Sequence, residues 1–183
     1  MSTVESQPRS EIPRRMVLMG VAGSGKSSIG EALAARLGII YLDGDGLHPA
    51  ANIEKMSHGI PLTDDDRWPW LEQVGLRLRD AERPTAIGCS ALKRSYRDFI
   101  SKTAQAPVLF IYLAGSKQLI ASRMHERRGH FMPESLLDSQ FATLEEPAVD
   151  EHAIRVDIAA TVEDIVTSII AAMSERVGKD REQ

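Results

Sequence analysis

Five short apolar runs, at residues 16–19, 39–42, 85–89, 108–113 and 154–158, recur along the chain with stretches of helical spacing between them. Such runs are strand-length, and strands that alternate with helices predict an α/β domain: a five-stranded parallel sheet with helices on both faces, three layers in all. The first four runs are nearly continuous in apolar residues, the pattern of strands covered on both sides. Between them, Ile29, Ala32, Leu33 and Leu37 mark one helix face, and Leu71, Val74 and Leu78 mark another. The clearest helix is the last. Val162, Ile165, Val166, Ile169, Ile170, Met173 and Val177 keep a helical period, and Thr161 with Asp164 supplies a capping box at its start. Residues 46–70 and 129–147 break the rhythm. Both stretches are polar and too long for simple turns, which marks them as candidate functional segments.

Length fits this picture without a second domain. A chain of 183 residues reads as one domain over 15–178, with a disordered lead-in at 1–14 and a short tail at 179–183. Lys and Arg number 22 against 26 Asp and Glu, a net charge of −4 that offers no general attraction to nucleic acid or an anionic membrane. No apolar run approaches the ~20 residues needed to span a bilayer, and the first fifteen residues lack the apolar stretch of a signal peptide. The single cysteine, Cys89, excludes an intramolecular disulfide and suits a reducing, cytoplasmic compartment. Ending an apolar strand with no metal-ligand spacing around it, it reads as a small core residue. One local charge excess stands out: Arg123, His125, Arg127, Arg128 and His130 against Glu126. A solvated helix face is the plain explanation for it.

Chemistry concentrates after the first strand, where Gly20-Val21-Ala22-Gly23-Ser24-Gly25-Lys26-Ser27 completes G-x-x-x-x-G-K-[ST] and Ser28 opens a helical pattern. These nine residues are the candidate nucleotide-binding set. Glycines let consecutive N–H groups face one anion, Lys26 reaches the β- and γ-phosphates of a nucleotide, and the Ser27 hydroxyl can hold magnesium. Asp43-Gly44-Asp45 follows the second strand, at the carboxyl edge where open α/β sheets bind ligands. The third strand ends without an acid, so Asp43 is the candidate partner of Ser27 for Mg2+, and Asp45 the acceptor of a hydrogen bond or proton from a substrate hydroxyl. The competing reading of Asp43-Gly44 is a turn signal.

Within residues 61–71, Asp64, Asp65 and Asp66 favour a helix N-terminus, and Trp70 with Leu71 begins a buried stripe. Arg67 reads either as an anchor for an anionic substrate or as an internal ion pair. Lys93 and Arg94, beyond the third strand, are candidates to face the same substrate. The island from Arg123 to His130 would bring positive charge over transferring phosphates from a lid at about 123–147 that excludes water. His130 reads as structural.

Taken together, these motifs resemble the gluconate kinases (gluconokinases), a branch of the P-loop small-molecule kinases. The matching segments are the phosphate loop; Asp43-Gly44-Asp45 with His48-Pro49 and Asn52; Lys55-Met56, Gly59 and Pro61-Leu62; Asp66-Arg67 with Pro69-Trp70-Leu71; Cys89-Ser90-Ala91-Leu92-Lys93-Arg94 with Tyr96-Arg97-Asp98; and His130-Phe131-Met132-Pro133 with Leu136-Leu137, Ser139-Gln140-Phe141 and Leu144-Glu145-Glu146-Pro147. The resemblance implies a P-loop kinase fold with a lid segment and a substrate segment at about 46–70. It also implies Mg2+- and ATP-dependent phosphorylation of D-gluconate at the 6-hydroxyl, a cytosolic role and a homodimer. Lys26, Asp45 and Arg127 become the candidate catalytic residues, Arg123 and Arg127 join the candidate nucleotide-binding set, and Asp45, His48, Asn52, Arg67 and Lys93 form the candidate gluconate-binding set. Gly46, where a second acid often follows Asp45, and Ile100-Ser101, where a basic residue is often found, depart from the pattern and bear on substrate affinity. Shikimate kinase is the nearest alternative, but Ser90-Ala91-Leu92 replaces its glycine triplet. A non-kinase nucleotide switch is more distant, since N-K-x-D does not occur.

Overall fold

In the computed structural model, which describes residues 12–126 and 134–180, the five strands are β1 Arg15–Met19, β2 Ile40–Asp43, β3 Thr85–Gly88, β4 Leu109–Ala114 and β5 Ala153–Asp157. All pair in parallel, in the order β2-β3-β1-β4-β5. Each apolar run becomes a strand, displaced by at most a residue. The seven helices of the described residues are α1 Lys26–Leu37, α2 Ala50–Ser57, α3 Asp64–Arg79, α4 Arg94–Ala104, α5 Lys117–Glu126, α6 Glu134–Thr143 and α7 Val162–Asp180. A 3-10 turn at Gly44–Leu47 joins β2 to α2.

Strand alternation sorts the core into two layers. Met16 and Leu18 point to one face of the sheet, where α1 and α7 supply Ile29, Leu33, Ile165 and Ile169. Val17 and Met19 point to the other, against Leu71, Val74 and Leu78 of α3 and Ile100 of α4. Each such side chain contributes roughly 1.5–3 kcal/mol on full burial, so packing holds the sheet edge in place independently of any ligand. Cys89 is a core residue, fully buried, and burial pushes its thiol up to about 12.

The expectation of cover on both faces fails for one of the four runs. β2 is an edge strand with exposed Ile40 and partly exposed Tyr41 and Leu42, and its apolar run does not reveal that it has a neighbour on one side alone. The break in rhythm at 46–70 resolves into the 3-10 turn, α2 and the start of α3. α2 was hidden because it buries Asn52 while Ile53 and Met56 face outward. A full capping box opens α3, between Thr63 and Asp66. At α7 the expected box is partial: Thr161 accepts from the Asp164 N–H at 3.2 Å, but its hydroxyl donates to the Asp164 carboxylate at 2.8 Å. Ordered contacts begin inside the expected tail, where Ile12 packs on the core and Arg14 donates to the carbonyls of Ala81 and Glu82. α7 runs two residues beyond the expected domain end.

Arg97, 1% exposed, donates in two prongs to Glu151 at 2.6 and 3.0 Å. A buried arginine needs such pairing, and this one fastens the chain before β5 to α4.

Candidate functional site

The phosphate loop spans the gap from β1 to α1 at the carboxyl edge of the sheet. Gly23 and Gly25 take φ of +78° and +92°, a region that L side chains adopt with strain. Gly25 caps α1 without a side-chain acceptor, and the first turn carries no acid. Free N–H groups and the helix dipole therefore both favour an anion there. Lys26 lies back over the loop, its ammonium donating to the carbonyls of Gly20 at 2.9 Å and Val21 at 3.1 Å. Burial lowers its pKa, opposed first by the charge of Asp45. Lys26 and Asp45 therefore sense each other across the site.

Asp43 fulfils the turn reading and also lies beside Ser27. One carboxylate oxygen accepts from the Asp45 N–H at 3.0 Å and starts the 3-10 turn, while the other receives the Ser27 hydroxyl at 3.5 Å. Asp45 itself is drawn upward in pKa by desolvation and then by Asp43, against the opposing pull of Lys26. A raised pKa makes its carboxylate a better proton acceptor.

His48 and Asn52 face inward. The His48 ring stacks on Trp70 at 4.0 Å, and Asn52 Nδ2 donates both to His48 Nδ1 at 3.2 Å and to the Asp66 carbonyl at 2.8 Å. With Nδ1 accepting, the neutral ring carries its proton on Nε2. Burial and then the nearby Arg67 charge hold the His48 pKa down to about 4. Lys55 clamps the Asp66 carboxylate at 2.8 Å, tying α2 to α3, and Trp70 donates to the Gly44 carbonyl at 2.8 Å. Together these bonds brace the segment that carries Arg67.

Arg67 and Lys93 converge on one carboxylate. Asp64 receives Lys93 at 2.9 Å, Arg67 at 3.4 Å and the Tyr96 hydroxyl. The Tyr96 bond first, then Lys93, hold the Asp64 carboxyl below its usual range. The internal pair is therefore real, but its Arg67 contact is long and one-pronged, leaving two cations around a single acid. Arg94 does not share this cluster. It pairs with Asp150 at 2.7 Å and lies 3.9 Å from Asp98, so the expectation that it faces substrate with Lys93 is corrected: helix geometry turns adjacent side chains apart.

Arg123 projects from α5 to the chain after β5 and donates to the Ala160 carbonyl at 3.4 Å. Arg127, Arg128 and His130 lie outside the described residues. Around them, the described parts of the expected lid segment are packed on the domain: Leu137 is buried in the core, and the Glu145 N–H donates to Leu92 at 2.8 Å.

Do these residues suit a magnesium nucleotide? Ser27 and Asp43 offer the hard oxygens that Mg2+ takes, few in number because it keeps waters and phosphate oxygens as its other ligands. Two buried hydroxyls at the site, Ser24 and Tyr41, have no hydrogen-bond partner. Tyr41 lies over Gly30 and Gly88, where a Cβ would fall 2.1 Å from its ring and 2.3 Å from its hydroxyl. Ser27 is close enough to ease the phenol, which burial still pushes up to about 12, but not in bonding geometry. Buried hydroxyls without protein partners beside the open N-terminus of α1 suit a phosphate or a metal-bound water. Asp64, Tyr96, Tyr41 and Gln140, whose side-chain oxygen accepts from the loop, lie among these residues although the sequence reading gave none of them a site role. Gly30 and Gly88 were the available signal for Tyr41.

A family model described as an AAA domain matches residues 16–147. The chain is 46% identical over 169 residues to the thermosensitive gluconokinase of Escherichia coli K12, covering 88% of this chain and 90% of that protein. It is 50% identical over 147 residues to the gluconokinase of Gluconobacter oxydans 621H, covering 79% and 82%. Its fold superposes on the crystal structure of a gluconokinase from Sinorhizobium meliloti 1021 with a TM-score of 0.87 at 48% identity, covering 94% and 98% of the two chains.

Proposed function

The chain belongs to the gluconokinase family, and from that premise we infer its reaction: transfer of the γ-phosphoryl group of ATP to the 6-hydroxyl of D-gluconate, giving 6-phospho-D-gluconate and ADP. The observation that carries the reading is the meeting of two half-sites at one sheet edge. The phosphate loop with Lys26 supplies the donor half, and Asp43, which receives the Ser27 hydroxyl at 3.5 Å and the Asp45 N–H at 3.0 Å, joins it to Asp45, where the acceptor half begins.

Phosphoryl transfer depends on positioning and charge stabilisation more than on covalent help from the protein. Gly23, Gly25, Lys26 and Ser27 present N–H groups to the β- and γ-phosphates, and Lys26 leaves the carbonyls of Gly20 and Val21 to follow the transferring group. Ser27 and Asp43 would hold Mg2+, which supplies neutralisation of the phosphate oxygens when bound. Asp45 orients the 6-hydroxyl and takes its proton as the new P–O bond forms. Arg67 and Lys93 hold the gluconate carboxylate, exchanging part of their pairing with Asp64 for the substrate. His48 and Asn52 act chiefly by bracing that segment, with His48 Nε2–H as a donor toward the sugar hydroxyls. Arg123 and Arg127 complete the nucleotide side. A homodimer in the cytoplasm belongs to the same proposal; among the described residues no helix is long and apolar enough to cross a membrane.

The test is ADP release by purified protein with Mg-ATP and, separately, gluconate, other aldonates, shikimate, nucleoside monophosphates or no acceptor. Gluconate-dependent turnover is expected. Acceptor-independent turnover, or a preference for shikimate or a nucleotide, contradicts the reading. The relatives at 46% and 50% identity do not favour the shikimate alternative.

A further inference from the structure

The phosphate loop is held from outside its own motif. Gln140 of α6 accepts a hydrogen bond from the Ala22 N–H at 2.7 Å, across 118 positions of sequence. Ala22 lies in the turn between β1 and α1, so no strand or helix partner is available to that N–H, and the side-chain amide takes the place of one. The arm that carries Gln140 is anchored: Leu137, one turn earlier, is 2% exposed in the core, and Phe141 and Leu144 pack against the same cluster. From the other side α5 covers the loop, since a Cβ on Gly23 would fall 2.6 Å from Met124 Cγ. A third tie comes from beyond β3, where the Ser90 carbonyl accepts from the Gly20 N–H at 3.2 Å.

These bonds divide the loop. The N–H groups of Gly20 and Ala22 are occupied by protein, and the Ser24 N–H closes on the Val21 carbonyl at 3.2 Å. The open cap at Gly25 belongs to the half left for ligand. Fixing the first half of the turn fixes where the second half points, and a binding loop already in its bound shape loses less entropy when its anion arrives.

We propose that Gln140 is a positioning residue for nucleotide binding, acting through the Ala22 N–H to keep the phosphate loop in its anion-accepting shape. It touches no reacting atom. The proposal rests on the loop's being a nucleotide site but not on gluconate as acceptor, so its test uses ADP alone.

The experiment measures ADP affinity by titration calorimetry for wild type, Gln140→Met and Gln140→Glu, with hydrogen exchange of the Ala22 amide followed by NMR. Gln140→Met keeps length and packing but removes the acceptor. The Kd for ADP should rise about threefold to tenfold, the scale of one net hydrogen bond, Ala22 exchange should quicken, and in the full reaction KM for ATP should rise more than kcat falls. Gln140→Glu keeps an acceptor but adds a charge near the phosphates. Its affinity should fall at low salt and recover toward wild type as salt screens the repulsion. Unchanged ADP affinity in a folded Gln140→Met, or loss of thermal stability with unchanged Ala22 exchange, overturns the proposal. Absence of gluconate phosphorylation with these ADP effects intact would remove the acceptor assignment and leave this one standing.

Discussion

The two halves of the proposed site are built from different material. On the donor side the binding groups are backbone N–H donors in a glycine turn, fixed by β1, α1 and core packing. The acceptor side instead consists of side chains from α2, α3 and α4, held by ion pairs and hydrogen bonds at a half-exposed surface. No substitution short of proline removes a backbone donor, whereas each side-chain contact can be removed singly. Changes near the phosphates should therefore act on nucleotide binding and the rate of transfer, and changes around Asp64 on recognition of the acceptor.

The largest effects should come where the halves meet. Lys26→Ala should lower kcat on the order of 10²–10³, the scale for losing one preorganised charge donor, with the thermal midpoint little changed. Asp45→Asn should lower kcat by about 10²–10⁴, the range for general-base catalysis. Steady-state kinetics beside circular dichroism checks both, and near-normal kcat in Asp45→Asn would reduce that carboxylate to a turn residue.

On the acceptor side, Arg67→Ala and Lys93→Ala should each raise KM for gluconate roughly ten- to a hundredfold, the scale of a charged hydrogen bond, with KM for ATP nearly unchanged. Equal rises in both constants would erase the division between halves. Asp64→Asn sharpens the point, because it frees both cations from their internal partner and should lower KM for gluconate modestly, read from the same kinetics.

His48 gives the acceptor side a pH dependence in stability. Its pKa falls from 6.5 to about 4 on folding, so between those values the unfolded chain binds more protons. The stability it contributes is present above pH 6.5 and drains away as pH falls toward 4. Thermal midpoints measured across that window should show a shallower acid decline in His48→Gln than in wild type.

The smallest effect belongs to Tyr41→Phe. Removing a buried unpaired hydroxyl should raise the stability of the ligand-free protein by about 1 kcal/mol, while Mg-ADP should stabilise the variant less than wild type. Chemical denaturation with and without Mg-ADP separates the two changes.

This contrast also explains what the sequence made legible. Five strands and the phosphate loop could be read because each depends on neighbouring residues: an apolar run for a strand, glycines at fixed spacing for the turn. β2 was located but not its place at the edge, since strand order is set by packing between distant runs. α2 was missed because its lone buried residue, Asn52, is polar and its apolar Ile53 and Met56 are exposed. Arg67 could be narrowed to anchor or ion pair; its contacts with Asp64 and Tyr96 depend on how α3 meets α4, at a sequence distance no local pattern spans. Arg94 and Lys93 are adjacent in sequence yet join separate ion pairs, which spacing alone does not distinguish. Gln140 was visible only as part of a resemblance, and its bond to Ala22 appears when α6 docks.

The central claim is that the two halves face each other so that phosphate passes from ATP to one hydroxyl of gluconate. Phosphorus NMR of the product formed from Mg-ATP and gluconate tests it most directly. The account predicts a phosphomonoester whose phosphorus couples to the two protons on carbon 6, formed in equal amount with ADP. Inorganic phosphate as the main product, or an ester on another carbon, would contradict it.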